Sequence, residues 1–281
     1  MPRSAHAGEN SSDAKRIVTF DWGLTATALD LGANVVGLPS IEYYNLTTVE
    51  PPLPADVVDV GLLFTPNFEF LDELAPDAIV IPPALSYTAP LLERIAPTFA
   101  IDINGTGEDV LAAARKGTGR LAEKLGLAAA ADDLYRSCEA TLDRARDRAE
   151  AWHNRPFYIA SFADDRHLTT FGRGSLFHDV LGRLSLRNAL GNRTMFGGRV
   201  VIGMEELAAF PDAAILLLSG GGNNSVPTGS AAGIFWRSLP AVRRGHVFEL
   251  PAILEDGGLP SASRFARLAG NALATRAPAD G

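Results

Sequence analysis

At 281 residues the chain has room for two domains of ordinary size. Its 47% hydrophobic and 21% charged residues supply a buried core and exclude global disorder. A formal charge of −8 argues against a nucleic-acid partner, because that binding is driven by clustered Lys and Arg.

In chain order, residues 1–15 lack the apolar stretch of a complete secretory signal, but Ala5-His6-Ala7 has the small-x-small form of a cleavage site. The segment reads as a signal remnant or a disordered tail, and a plain polar cytosolic tail is the alternative. Residues 16–22 are β-prone, 24–33 helical and 35–38 again strand-like. The alternation continues with strands at 57–60, 78–81 and 99–101 and helices at 67–74 and 89–95. Strands alternating with helices predict a mainly parallel sheet covered by helices.

From residue 128 to 153 the pattern becomes one long amphipathic helix, with Leu134, Cys138, Leu142, Ala145, Ala149 and Trp152 spaced by three or four. It stops before Pro156, since the residue preceding a proline is pushed out of the α region. A second alternating unit follows, with strands at 157–162, 167–171, 213–218 and 247–250. Its helices fall at 175–184, 205–210, 235–242 and 261–274. The expected fold is α/β: two Rossmann-like lobes, residues 16–127 and 155–281, joined by a long helix over 128–154.

Catalytic grammar is missing. The stretch Ser219-Gly220-Gly221-Gly222-Asn223-Asn224 has neither P-loop nor dinucleotide-fold spacing and reads as a surface loop. The five histidines are scattered, so a protein-bound metal is not expected. There is no G-x-S-x-G elbow, and Cys138 lies inside a helix rather than at an activating N-terminus. The acidic pairs Asp164-Asp165, Glu205-Glu206 and Glu255-Asp256 read as solvated surface in so acidic a chain. No apolar run approaches the roughly 20 residues of a spanning helix. A binder is favoured over an enzyme. Ligands of such sheets sit beyond the carboxyl ends of the strands, where Trp22, Tyr43, Tyr44 and Tyr87 fall; Phe196 and Arg199 occupy a glycine-rich segment of the second half.

At these residues the chain resembles the FhuD-like ferric hydroxamate-binding proteins, periplasmic binding proteins with a helical backbone between rigid lobes. The likeness runs from Arg16 to about Ala272. It is carried by Arg16-Ile17-Val18 through Trp22, Glu50-Pro51-Pro52-Leu53-Pro54, Asp59-Val60-Gly61-Leu62 with Pro66-Asn67, and Arg94-Ile95-Ala96-Pro97. Asp165-Arg166-His167, Phe171-Gly172, Ser175-Leu176-Phe177 and Leu250-Pro251-Ala252 complete it.

The resemblance implies a monomeric periplasmic protein, not an enzyme. It captures a ferric siderophore, takes no cofactor and no metal of its own, and delivers its cargo to an ABC importer permease. The candidate ligand-binding residues are Trp22, Tyr44, Phe64, Tyr87, Phe196, Arg199, Glu255 and Asp256. Glu93 and Glu206, on opposite lobes, are the implied permease-docking acids.

Three departures bear on the pocket. Leu63 stands where the family has an arginine, Gly197 where it has a tryptophan, and Leu254-Glu255-Asp256 where it has aromatics. Two acids there suit a ligand carrying an amine, and Arg199 becomes the candidate clamp for the ligand's oxygens. Cobalamin or haem capture by the same architecture, and a cytosolic α/β enzyme, remain the alternatives.

Overall fold

The computed structural model describes residues 14–278 apart from 106, 108, 192–194, 220–225 and 228–230. The first lobe runs β1 (Arg16–Thr19), α1 (Trp22–Asp30), β2 (Asn34–Leu38), α2 (Ile41–Thr47), β3 (Val58–Asp59), and the small antiparallel pair β4 (Gly61–Leu62) and β5 (Thr65–Pro66). It continues through α3 (Phe68–Leu74), β6 (Ala78–Ile81), a 3-10 turn (Pro83–Thr88), α4 (Ala89–Leu92) and β7 (Thr98–Ala100). Its sheet is wholly parallel, in the order β3-β2-β1-β6-β7.

Side chains alternate across a strand, so each strand feeds two cores. Ile17, Val35 and Val80 pack with Leu24 and Ala28 of α1 on one face. Val18, Val36, Ile79 and Ile81 pack with Leu71 and Leu92 on the other.

Two helices follow, α5 (Val110–Leu125) and α6 (Ala128–Arg148), then a 3-10 turn (Glu150–Trp152). The expected long helix is α6, whose last residues tighten into that turn. The sequence pattern assigns no element between residues 102 and 127, yet α5 lies there and lies alongside α6. Gly117 and Gly119 lower the helix propensity of this stretch. In the fold, Gly117 lets α5 approach the chain at Asp102, whose carbonyl oxygen would stand 2.1 Å from an added Cβ. Each of these two helices serves both lobes. Leu121, Ala122 and Ala131 enter the first lobe's core, while Val110, Ala114, Leu142 and Ala145 enter the second's.

The second lobe comprises β8 (Pro156–Phe162), β9 (His167–Phe171), α7 (Leu176–Arg183), β10 (Arg187–Asn188), a 3-10 turn (Phe196–Gly198), β11 (Arg199–Gly203) and a 3-10 helix (Met204–Ala209). Then come β12 (Ala214–Leu218), α8 (Ala231–Ser238), α9 (Pro240–Arg243), β13 (Val247–Leu250) and α10 (Gly258–Leu273). The sheet order is β11-β9-β8-β12-β13, with β10 also on β8. The β8, β10, β12 and β13 pairings are parallel, and β9 is antiparallel to both neighbours.

One helix expected over residues 235–242 is in fact two. Pro240 lacks an amide hydrogen and moves Leu239 to ψ 139°, so α8 ends and α9 starts at the proline. The helix expected over 205–210 is the 3-10 segment Met204–Ala209. α10 packs closely along α6, with an added Cβ at Gly270 only 2.8 Å from the Ala145 Cα. Its first residue also abuts α1, since a Cβ at Gly258 would meet Thr27 Oγ1 at 3.4 Å.

Candidate functional site

β1 ends at Thr19, so Trp22 does not close that strand; it opens α1. Asp21 caps this helix, its Oδ1 accepting from the Leu24 amide at 2.7 Å. Burial pushes the Asp21 carboxyl up to about 6, with the charge of Asp256 adding to the rise and amide hydrogen bonds opposing it. The Trp22 indole donates to the Pro39 carbonyl at 2.9 Å, which fixes the ring. Against it lies Tyr43, with ring centroids 4.2 Å apart and planes tilted by 42°.

Tyr43 and Tyr44 are helical, on α2, and the helix turns them to different faces. Tyr44 is the expected ligand residue, but it is 0% exposed in a core with Ala26, Leu38 and Val57. Its hydroxyl donates to the Pro51 carbonyl at 2.6 Å. It has no surface or free hydroxyl to offer a ligand. Tyr43 is 44% exposed beside Trp22.

The second lobe faces this stack with charge. Arg199 opens β11, and its Nη1 meets Glu255 Oε1 at 2.6 Å while Nη2 meets Asp256 Oδ2 at 2.9 Å. Both acids lie between β13 and α10. Burial pushes Glu255 up to about 7; Arg199 opposes that rise and Asp256 adds to it. The Tyr43 hydroxyl is raised first by burial, then by Glu255 and Asp256, with Arg199 opposing. The two lobes touch directly here. A Cβ on Gly23 would lie 2.7 Å from the Asp256 carbonyl oxygen and 2.9 Å from the Gly257 Cα, so only glycine fits in the first turn of α1.

The other expected residues are more dispersed. Phe64, 65% exposed, sits with Leu63 in the turn between β4 and β5, and Tyr87, 67% exposed, lies on the 3-10 turn after β6. With Trp22 and Tyr43 they follow the carboxyl ends of parallel strands, the edge where ligands of such sheets bind. Of Phe196 the backbone is described and the side chain is outside the described atoms. Gly197 has φ 70°, a left-handed conformation in which a tryptophan would be strained. Residues 220–224 of the glycine-rich loop lie outside the described residues.

Glu93 is exposed at the C-terminus of α4, and Glu206 is half-buried in the 3-10 segment of the second lobe. Asp164 accepts from the Arg166 and His167 amides at 2.7 and 2.8 Å, so it shapes the β8–β9 turn. Asp21 was not singled out by its sequence, although an Asp before an apolar run is an N-cap signal.

Among the described residues no group of three His, Cys, Asp or Glu is placed to hold a metal ion, and no helix is long and apolar enough to cross a membrane. A separate cavity of about 670 Å³ opens between α5, α6 and α7. In its lining Glu139 binds Arg183 and lies 3.7 Å from Arg115, and Asp179 accepts from the Val110 and Leu111 amides.

Comparison with known proteins places this geometry. A family model described as periplasmic binding protein matches residues 17–254. The iron(3+)-hydroxamate-binding protein FhuD of Escherichia coli (strain K12) is 31% identical over 274 residues, covering 98% of this chain and 91% of that one. The structure of the Fe3+–Desferal-bound siderophore-binding protein FhuD from Vibrio cholerae superposes with a TM-score of 0.83 at 23% identity, over 95% of this chain and all of that one. FhuD2 from Staphylococcus aureus with bound ferrioxamine B gives 0.69 at 17% identity, over 93% and 98%. With a family match across most of its length and a relative above 30% identity, the chain belongs to the periplasmic binding protein family.

Proposed function

We propose that this protein captures a ferric siderophore of the hydroxamate type in the periplasm and delivers it to an ABC importer. The observation that carries the reading is the junction of the lobes. There the Trp22–Tyr43 stack on one side faces the Arg199–Glu255–Asp256 cluster on the other, in a chain of this family. An iron already wrapped in chelating oxygens needs no protein ligand. It needs aromatic surface for the siderophore's carbon arms and hydrogen-bond donors for its outer oxygens. Trp22, Tyr43, Phe64 and Tyr87 supply the first, and Arg199 supplies the second.

Haem capture through a tyrosine would have to use Tyr43 or Tyr87, because Tyr44 is buried with its hydroxyl taken. Glu93 and Glu206 are the proposed contacts with permease arginines; siderophore uptake in cells should fall in a Glu93→Ala/Glu206→Ala double variant, and undiminished uptake removes that role.

The central test is titration of tryptophan fluorescence with ferrioxamine B, ferrichrome and a ferric catecholate. Trp152 and Trp236 are in the cores and Trp22 lines the site, so quenching should be lost chiefly in Trp22→Phe. Absence of quenching by every ferric complex overturns the reading.

A further inference from the structure

The charge balance of the lobe junction goes further than capture of a ferric complex, although it rests on that reading. Three carboxyls, Asp21, Glu255 and Asp256, converge there with one guanidinium, Arg199. The turn between β4 and β5 adds no cation, because Leu63 stands in it beside Phe64. Arg199 does not stand free: its two Nη atoms bridge Glu255 and Asp256. It therefore occupies the place that a ligand's own cation could fill. The Trp22–Tyr43 stack next to these acids offers aromatic faces of the kind that attract a cation.

We propose that Glu255 and Asp256 select siderophores bearing a protonated amine. The ligand's ammonium displaces Arg199 from the acid pair, and the freed guanidinium turns its donors to the oxygens around the iron. Two internal ion pairs are exchanged for contacts of the acids with the ammonium and of Arg199 with the oxygens around the iron, each a charge-assisted hydrogen bond. A siderophore with the same iron core and no ammonium leaves Arg199 tied to the acids. One with carboxylates meets like charge.

Protonation gives this exchange a signature. Glu255, flanked by Arg199, Asp256 and the Tyr43 hydroxyl, titrates near 7 because burial disfavours its charge. An arriving ammonium favours the ionised form. Binding of the amine-bearing ligand therefore expels a proton and weakens as pH falls from 8 to 6.

The test compares ferrioxamine B, which carries a terminal ammonium, with its N-acetylated form, which has the same ferric core and no charge on that arm. At pH 7.5 the intact protein should bind ferrioxamine B at least tenfold more tightly, a difference of about 1.4 kcal/mol. That preference should shrink at pH 6, and to within twofold in Glu255→Gln/Asp256→Asn. Equal affinities, or tighter binding of the acetylated form, overturn the proposal and leave siderophore capture standing. A preference that persists in the double variant also overturns it, because discrimination then lies elsewhere. If neither complex binds, siderophore capture fails and the proposal with it. The two-ligand comparison on the unmodified protein stands even if the variant does not fold.

Discussion

Arg199 donates to two carboxylates within 3 Å, and removing it both deletes the candidate clamp and leaves Glu255 and Asp256 without their counter-charge. Arg199→Ala should weaken binding of ferrioxamine B, whose ammonium frees the guanidinium, by about tenfold or more, as expected for a charged hydrogen bond of ~1.5–3 kcal/mol. A change within twofold in a fluorescence titration refutes the clamp. Asp21 makes a pH prediction with the opposite sense to an ordinary ion-paired carboxylate. Its folded value, about 6, lies above its ordinary value of 3.8. The folded state therefore binds the extra proton between those values, and stability from this group is fully present below about 3.8 and lost as pH rises through 6. At pH 8 the cost of the buried charge is about 3 kcal/mol. Asp21→Asn keeps a capping side chain and removes the titration. The variant's melting temperature relative to the parent should be higher at pH 8 than at pH 5, and a pH-independent difference contradicts the assignment. The residue types of this site were legible in the sequence; their faces were not. Tyr43 and Tyr44 are one residue apart, and only the helix through them decides which is core and which is wall. The pairing of Arg199 with Glu255 and Asp256 spans more than fifty residues and carries no local pattern.

Among elements, strands were readable where local chemistry is strong. Asn67 and Ser175 cap α3 and α7, their side chains accepting from Phe70 and His178 amides, and the all-apolar run of β12 is buried throughout. α5 was hidden because its two central glycines lower its helix propensity, although Gly117 is a packing requirement. Gly117→Ala gains roughly 1 kcal/mol of helix propensity. It also drives a methyl group into the Asp102 carbonyl, an overpacking cost of about 1–3 kcal/mol or more against backbone that has little room to move. Net destabilisation is expected in urea unfolding. Gly182 in α7 is the converse, with nothing within 4 Å of an added Cβ, so Gly182→Ala should stabilise by about 0.5–1 kcal/mol. If both substitutions stabilise, α5 does not press on residue 102 as described.

The two lobes are held by more than one connection. α5 and α6 each place side chains in both cores, and α10 packs along α6 while its first turn meets α1. A further tie crosses from the loop after α2 to α10, where Glu50 pairs with Arg264 and Arg267. Arg264 is nearly buried, its side chain 7% exposed, and its Nε and Nη2 donate to the Ala252 carbonyl at 3.4 Å. Burial alone would raise the Glu50 carboxyl, but Arg267 and Arg264 hold it below its ordinary range. This pair therefore stabilises above the ordinary glutamate value and is lost as pH falls through the lowered one. Glu50→Ala leaves the Arg264 guanidinium buried without its partner, and the protein should lose about 3 kcal/mol of stability in denaturant unfolding. With two continuous helices threaded through both cores and this strut beside them, a wide hinge motion would have to break packed helix. We therefore propose that the lobes close little on their ligand. Solution scattering of the free and ferrioxamine-loaded protein should give nearly superimposable curves, and in Glu50→Ala the two should diverge more than in the parent. A clear compaction of the parent protein on loading would show that the helices are not the rigid spine their packing implies.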